Sequence, residues 1–110
     1  MATKKNDLFH SQDQELAALA NALSHPARIA ILKYLAQKNE CICGDLVAEL
    51  PLAQSTVSQH LKELKKHGFI KGEIEGVKTC YCIEWNTIEK VKALFNGLFE
   101  EIKMNNSNCC

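Results

Sequence analysis

The sequence predicts a mainly α-helical domain with one small β-hairpin, in the order α-α-α-α-β-β-α. Apolar residues recur at helical spacing from residue 16 to residue 64 and again from residue 88 to residue 102. Between these segments, residues 69–83 alternate with a period of two around a Glu-Gly pair, as a hairpin does. A hydrophobic content of 46% and a charged content of 24% fit one globular domain and argue against disorder.

The chain divides into one domain and two short ends. We expect a flexible N-terminal arm at residues 1–10, the folded domain at 11–104 and a flexible, cysteine-containing tail at 105–110. Inside the domain, Pro26 separates the first two helices, because proline suits a first helical turn and disfavours helix in the residue before it.

The middle of the chain predicts a helix-turn-helix. A short helix begins near Asp45, a candidate cap, and ends at Pro51. The next helix runs from Gln54 and stops at Gly68, a residue type common after helix C-termini. Together with the hairpin that follows, these helices form a winged helix-turn-helix.

The second helix of this motif carries a polar face suited to double-stranded DNA. Val57, Leu61 and Leu64 share the opposite, core-facing side. Residues near the N-terminus of such a helix reach base edges in the major groove, where Gln pairs with adenine, and lysines neutralise phosphates. An ordinary solvated helix face is the alternative. With the hairpin lysines, the predicted DNA contacts are Gln54, Ser55, Thr56, Ser58, Gln59, Lys62, Lys66, Lys71 and Lys78.

Charge and histidines qualify this prediction. The net charge is zero, so only the local lysine stripe favours nucleic acid. Glu73 and Glu75 near the hairpin tip would repel phosphate unless they point away. We expect His60 and His67 to lie at the helix surface or to contact phosphate rather than to bind metal.

The cysteines fall into three close pairs: Cys41 and Cys43, Cys80 and Cys82, and Cys109 and Cys110. If the first pair lies on a strand beside the second, four sulfurs gather on one face of a small sheet. Such a cluster suits Zn(II), Cd(II) or Pb(II), or As(III) through three of the sulfurs. The alternatives are small buried residues that fill strand positions, a disulfide framework, or a redox pair.

Other classes of protein are less well supported. Residues 1–14 hold no apolar segment long enough for a signal peptide, and the apolar stretch at residues 16–23 is too short to cross a bilayer, so we expect a cytoplasmic protein without a membrane partner. The chain has no C-x-x-C, no phosphate-binding glycine loop and no convincing nucleophile–base pair, which argues against an enzyme and against an organic cofactor.

The first and last helices predict a homodimer. Phe95, Leu98 and Phe99 give the last helix more apolar surface than one small core needs, and Asn86 is its candidate cap. A two-fold interface built from both helices would set two DNA-reading helices about one DNA turn apart.

Several separated motifs resemble the ArsR/SmtB family of metal-sensing winged-helix repressors. They are LSHPARIAILKYL, CICGDLVAELPLAQSTVSQHLKELKKHGFIKGEIEG and YCI, in the family's order across roughly residues 15–100. The resemblance implies a homodimer that binds its operator without metal and releases it when an inducer binds. It also implies that the helix from Gln54 reads the operator.

The chain departs from the family pattern in two places. Ala53 stands where the family usually has a serine cap, which weakens the helix start by about 1 kcal/mol. The cysteines stand two and four residues before Asp45 instead of one and three, so the family's ligand set does not transfer directly.

Taken together, the sequence predicts a repressor that leaves its operator when a thiophilic ion, As(III) first among the candidates, binds Cys41 and Cys43. Cys80, Cys82 or the tail cysteines would complete the site. The alternative within the same fold is a thiol redox or persulfide sensor. A metal-buffering or protein-binding module is the remaining alternative.

Overall fold

The computed structural model describes residues 8–38, 41–43, 50–75 and 78–106. Within these ranges lie four helices and one three-stranded sheet, in the predicted order. They are α1 (Ser11–Ala22), α2 (Pro26–Lys38), β1 (Ile42–Cys43), α3 (Gln54–Lys66), β2 (Ile70–Glu75), β3 (Lys78–Ile83) and α4 (Trp85–Met104). The predicted short helix after Asp45 falls on residues 44–49, outside the described residues.

The sheet is antiparallel with β3 in the centre, flanked by β1 and β2. β1 pairs with β3 so that Ile42 lies opposite Tyr81 and Cys43 opposite Cys80. The wing hairpin aligns Ile70 with Ile83, and both side chains are buried. The sequence raised the possibility that the segment with Cys41 and Cys43 pairs with the second strand of the wing, and this pairing is confirmed.

The core lies between α2, α3 and the first residues of the wing. Its largest fully buried side chains are Phe69, Ile31, Leu35, Leu64 and Val57. Every one is aliphatic or aromatic, and burial of such side chains contributes about 1.5–3 kcal/mol each. The core therefore fixes α3 by one face and leaves the opposite face free.

The end of α3 is set by Gly68. Its φ of +82° is unfavourable for residues with a Cβ. The N–H of Phe69 donates to the carbonyl of Leu64, and the N–H of Gly68 donates to that of Lys65, both at 3.0 Å. This Schellman motif ends the helix as predicted and turns the chain directly into β2.

The start of α4 differs from the prediction. The helix begins at Trp85, with Glu84 in the N-cap position and no side-chain cap hydrogen bond. The N–H groups of Thr87 and Ile88 donate to the carbonyl of Glu84, so Asn86 is already helical and the predicted cap at this residue was wrong.

Among the described residues, no helix is long and apolar enough to cross a membrane.

Candidate DNA-binding helix and thiol cluster

Helix α3 is amphipathic, with one face in the core and one in solvent. Val57, Leu61 and Leu64 are buried, as their spacing predicts. The opposite face presents hydroxyl and amide groups in its first turns and ammonium groups in its last turns. All of the predicted contacts on this helix are exposed: Gln54, Ser55, Thr56, Ser58, Gln59, Lys62 and Lys66.

The N-terminus of α3 lacks a side-chain cap. Ala53 occupies the N-cap position with φ −68° and ψ 152°, an extended conformation, and its carbonyl accepts from the N–H of Val57 at 3.0 Å. The first N–H groups of an α-helix have no partner within the helix, and an alanine cannot supply one. The N-cap residue of the predicted reading helix thus contributes no side-chain hydrogen bond to the first turn.

The structure describes the side chain of one of the two wing lysines that were predicted to contact phosphate. Lys71 on β2 is exposed and lies directly opposite Cys82 on β3. The side chains of Glu73, Glu75 and Lys78 lie outside the described part of the chain, so phosphate contact by Lys78 and phosphate repulsion by the two acids remain predictions.

His60 is buried, contrary to the sequence-based prediction. Only 6% of its surface is exposed, its Nδ1 accepts from Arg28 Nε at 3.1 Å, and its ring centroid lies 4.3 Å from that of His25. The missed signal is its spacing of three residues after Val57 and four before Leu64, which places it on the core side. His67 is half-buried, with Nε2 3.8 Å from a carboxylate oxygen of Glu63.

Two cysteines from separate segments meet at the β1–β3 junction. Cys41 and Cys82 form a disulfide, with their Cα atoms 4.3 Å apart. Cys41 is exposed, whereas Cys82 is buried. Cys80 is buried and also disulfide-bonded, and the residue opposite it in the backbone register is Cys43. The Cys43 side chain and residues Cys109 and Cys110 lie outside the described part.

The register places the four cysteine positions of the junction on one face of the sheet. Positions directly opposite each other in an antiparallel pair share a face, and so do positions two apart along a strand. Among the side chains that the structure describes, no group of three or more His, Cys, Asp or Glu has a metal-ligating arrangement. The described chemistry is therefore that of oxidised thiols: the Cys41–Cys82 disulfide joins the segment before the predicted short helix to the wing, and Cys80 is disulfide-bonded as well.

Comparisons with known proteins identify the family. Residues 25–71 match the model for bacterial regulatory proteins of the arsR family. An uncharacterized HTH-type transcriptional regulator of Methanocaldococcus jannaschii, MJ1325, is 34% identical over 86 residues, which cover 77% of this chain and 96% of the relative. The chain belongs to the ArsR family. It is a winged helix-turn-helix transcriptional repressor, and proteins of this family bind DNA and are not enzymes.

Two further relatives bear on this assignment. The HTH-type transcriptional repressor SmtB of Mycobacterium tuberculosis is 43% identical over 63 residues, covering 57% of this chain and 46% of SmtB. Mb0332 of Mycobacterium bovis has a solved homodimeric winged helix-turn-helix DNA-binding domain and is a possible ArsR-family regulator. It superposes with a TM-score of 0.62 at 22% identity over 100% of this chain and 96% of that domain. The predicted fold class is confirmed.

Helix α4 carries large apolar side chains that are exposed to solvent. Phe99 is 59% exposed and Ile102 is 57% exposed, and Phe95 stacks against Phe99 with ring centroids 6.3 Å apart. An ion pair between Lys90 and Glu15 joins α4 to α1. The first and last helices thus lie together, with large apolar side chains directed into solvent.

Proposed function

We propose that this ArsR-family repressor binds its operator when the β1–β3 thiols are reduced and free, and releases it when a thiophilic metal or metalloid ion binds them. The observation that carries the proposal is the meeting of Cys41 and Cys82 at a Cα–Cα distance of 4.3 Å. Two cysteines 41 residues apart in sequence are brought together between the two parts of the fold expected to touch DNA.

The position of the cluster supports a coupling to DNA binding. β1 precedes the predicted helix-turn-helix, whereas β3 is a strand of the wing. An ion held by both strands fixes the wing relative to the segment that leads into the reading helix. By linkage, release requires that the ion bind the free protein more tightly than the DNA-bound protein.

The proposed ligands are Cys41, Cys43, Cys80 and Cys82, with Cys109 and Cys110 as further candidates. Thiolates select soft and borderline ions, since As(III) takes three sulfurs, and Zn(II), Cd(II) or Pb(II) suit three or four. We name As(III) as the first candidate inducer and a divalent ion of this group as the second.

The DNA side of the proposal rests on α3 and on a dimer. The exposed polar face of α3 enters the major groove, and its lysines and Lys71 contact phosphates. The apolar surface of α4 and α1 pairs with a second copy, as the homodimeric state of the Mycobacterium bovis domain suggests. Such a repressor acts in the cytoplasm, where its operator lies.

A release assay on the full chain tests this proposal. A fluorescent operator duplex, selected from random DNA with reduced protein, is titrated with As(III), Cd(II), Pb(II) and Zn(II) while anisotropy is recorded. We expect at least one of these ions to release the duplex from wild type and not from the Cys41→Ser, Cys43→Ser variant. The Cys109→Ser, Cys110→Ser variant, which also loses two thiols, tests separately whether the tail cysteines belong to the site. Release of the Cys41→Ser, Cys43→Ser variant at wild-type ion concentration would contradict the proposal.

A second candidate is a redox-sensing repressor of the same fold, favoured by the Cys41–Cys82 disulfide itself. A hydroperoxide would oxidise one thiolate to a sulfenic acid, and the second thiol would displace water to form the disulfide. Peroxide would then release the operator in the presence of a chelator, and a dithiol reductant would restore binding. Release by ions alone separates metal sensing from this candidate.

A further inference from the structure

Arg28 connects the predicted reading helix to the end of α1. Its Nη1 donates to the carbonyls of Ala22, at 3.2 Å, and Asn21, at 3.4 Å, the last residues of α1. Its Nε donates to Nδ1 of His60 on α3 at 3.1 Å. One guanidinium from α2 therefore joins two helices through hydrogen bonds with defined directions, which apolar packing lacks.

The link to α3 depends on the protonation state of His60. An arginine only donates and stays protonated, so Nδ1 must be a bare acceptor, and the single imidazole proton must lie on Nε2. This Nε2 is buried and has no hydrogen-bond partner among the described residues. A second proton on the ring would remove the acceptor and place a buried cation beside the half-buried guanidinium of Arg28.

The surroundings of His60 oppose that second proton. Burial is the largest cause that lowers its pKa below the usual range, followed by the charges of His25 and Arg28. His25 precedes α2, and the backbone N–H of Ala27 donates to Nδ1 of His25 at 3.0 Å. The α1 groups that Arg28 binds are backbone carbonyls. On α3 itself, the titratable neighbours Glu63 and His67 lie 3.8 Å from each other.

We propose that Arg28 and His60 are positioning residues for the DNA-reading helix, and that their contact makes operator binding strongest while the imidazole is neutral. The proposal rests on the function proposed above. It assigns a role to a core-facing imidazole that touches no DNA. A purely structural role would be filled equally well by an apolar side chain of similar size.

The direction of the pH effect follows from the lowered pKa. The arrangement in which Arg28 donates to His60 favours the neutral imidazole, so the contribution of this contact is fully present above the usual histidine pKa. It is lost as the pH falls through the lowered pKa of the folded protein. Operator affinity should therefore fall on acidification even when the thiols stay reduced and free of metal.

The test compares His60→Asn, His60→Leu and His10→Asn with wild type, all reduced and with chelator present. Asn keeps a neutral acceptor near the position of Nδ1, whereas Leu removes it. We expect the wild-type operator dissociation constant to rise about tenfold as the pH is lowered from about 7.5 through the lowered pKa of His60. His10→Asn, the matched control, removes an exposed imidazole next to α1 and should behave as wild type. His60→Asn should be nearly flat, and His60→Leu should bind more weakly at every pH.

Two outcomes overturn the proposal: a His60→Asn profile that falls as steeply as wild type, or a His60→Leu variant that binds as tightly as wild type at neutral pH. If no duplex is bound at any pH, the proposed function fails instead. The contact is then judged by nitrogen NMR of the imidazole at about pH 7.5. An Nε2–H tautomer supports the proposal, and an Nδ1–H tautomer contradicts it.

Discussion

At the scale of single residues, α3 separates two kinds of DNA contact. Gln59 is exposed in the middle of the helix, where an amide can pair with an adenine edge in the major groove. Lys66, also exposed, lies in the last turn, where an ammonium meets phosphate. Sequence spacing alone predicted the exposure of both, because their neighbours Val57, Leu61 and Leu64 repeat at helical intervals.

The two contacts should respond differently to substitution. Gln59→Ala should weaken the selected operator about tenfold and leave binding to unrelated DNA unchanged, since it removes base reading. Lys66→Ala should weaken both duplexes equally and lower the slope of log affinity against log salt by about 1. Anisotropy titrations on both duplexes at several salt concentrations measure this, and equal loss on both duplexes for Gln59→Ala would exclude base reading by this residue.

The burial of His60 is the residue-level feature that the sequence analysis mispredicted. Its hydrogen bond to Arg28 joins residues 32 apart, and no local pattern announces such a pair. Histidine is intermediate between core and surface types, so its identity did not decide its burial. The meeting of the two cysteine segments was predicted only as a condition, because strand pairing over long separations depends on the whole fold.

At the scale of elements, α3 combines a well-formed end with a weak beginning. Gly68 supplies the left-handed residue that closes its C-terminus, while Ala53 supplies no acceptor for its first N–H groups. Both features were predicted from residue type, because caps are local. The N-terminus of α4 was mispredicted by two residues, since the carbonyl of Glu84 starts the helix without any side-chain cap.

Restoring a cap should stabilise the protein. Ala53→Ser places a hydroxyl where it can accept from an N–H of the first turn, and we expect a gain of about 1 kcal/mol in the free energy of unfolding. The matched control is Ala93→Ser at an exposed position inside α4, where serine should cost about 0.5 kcal/mol because its helix propensity is lower. Urea unfolding measures both. A destabilised Ala53→Ser protein would show that the start of α3 is fixed by other contacts.

At the scale of the whole molecule, the exposed surface of α4 is the feature that one chain does not explain. Phe99 and Ile102 are more than half exposed, a placement that favours a covering partner. The sequence predicted this surface because α4 carries more apolar residues than its core contacts need. It could not specify the geometry of the interface, which depends on how two copies fit together.

A charge in this surface should separate the dimer. Phe99→Glu is expected to sediment as a monomer at micromolar concentration and to lose about hundredfold in operator affinity, because the two reading helices no longer act together. Asn96→Glu is the matched control, since it adds the same charge at an exposed position of the same helix. Dimeric Phe99→Glu protein with unchanged operator affinity would place the interface elsewhere.

The central claim is that sulfur atoms joining β1 to β3 govern whether the protein stays on DNA. Its most direct measurement is one titration of the reduced protein–operator complex with whichever of As(III), Cd(II), Pb(II) or Zn(II) releases the duplex in the assay above, in which the ultraviolet band of the bound thiolates and the anisotropy of the duplex are followed together. We expect both signals to change at the same ion-to-protein ratio and the Cys80→Ser, Cys82→Ser variant to lose both. Release of the duplex without the thiolate band, or a full band with the duplex still bound, would contradict it.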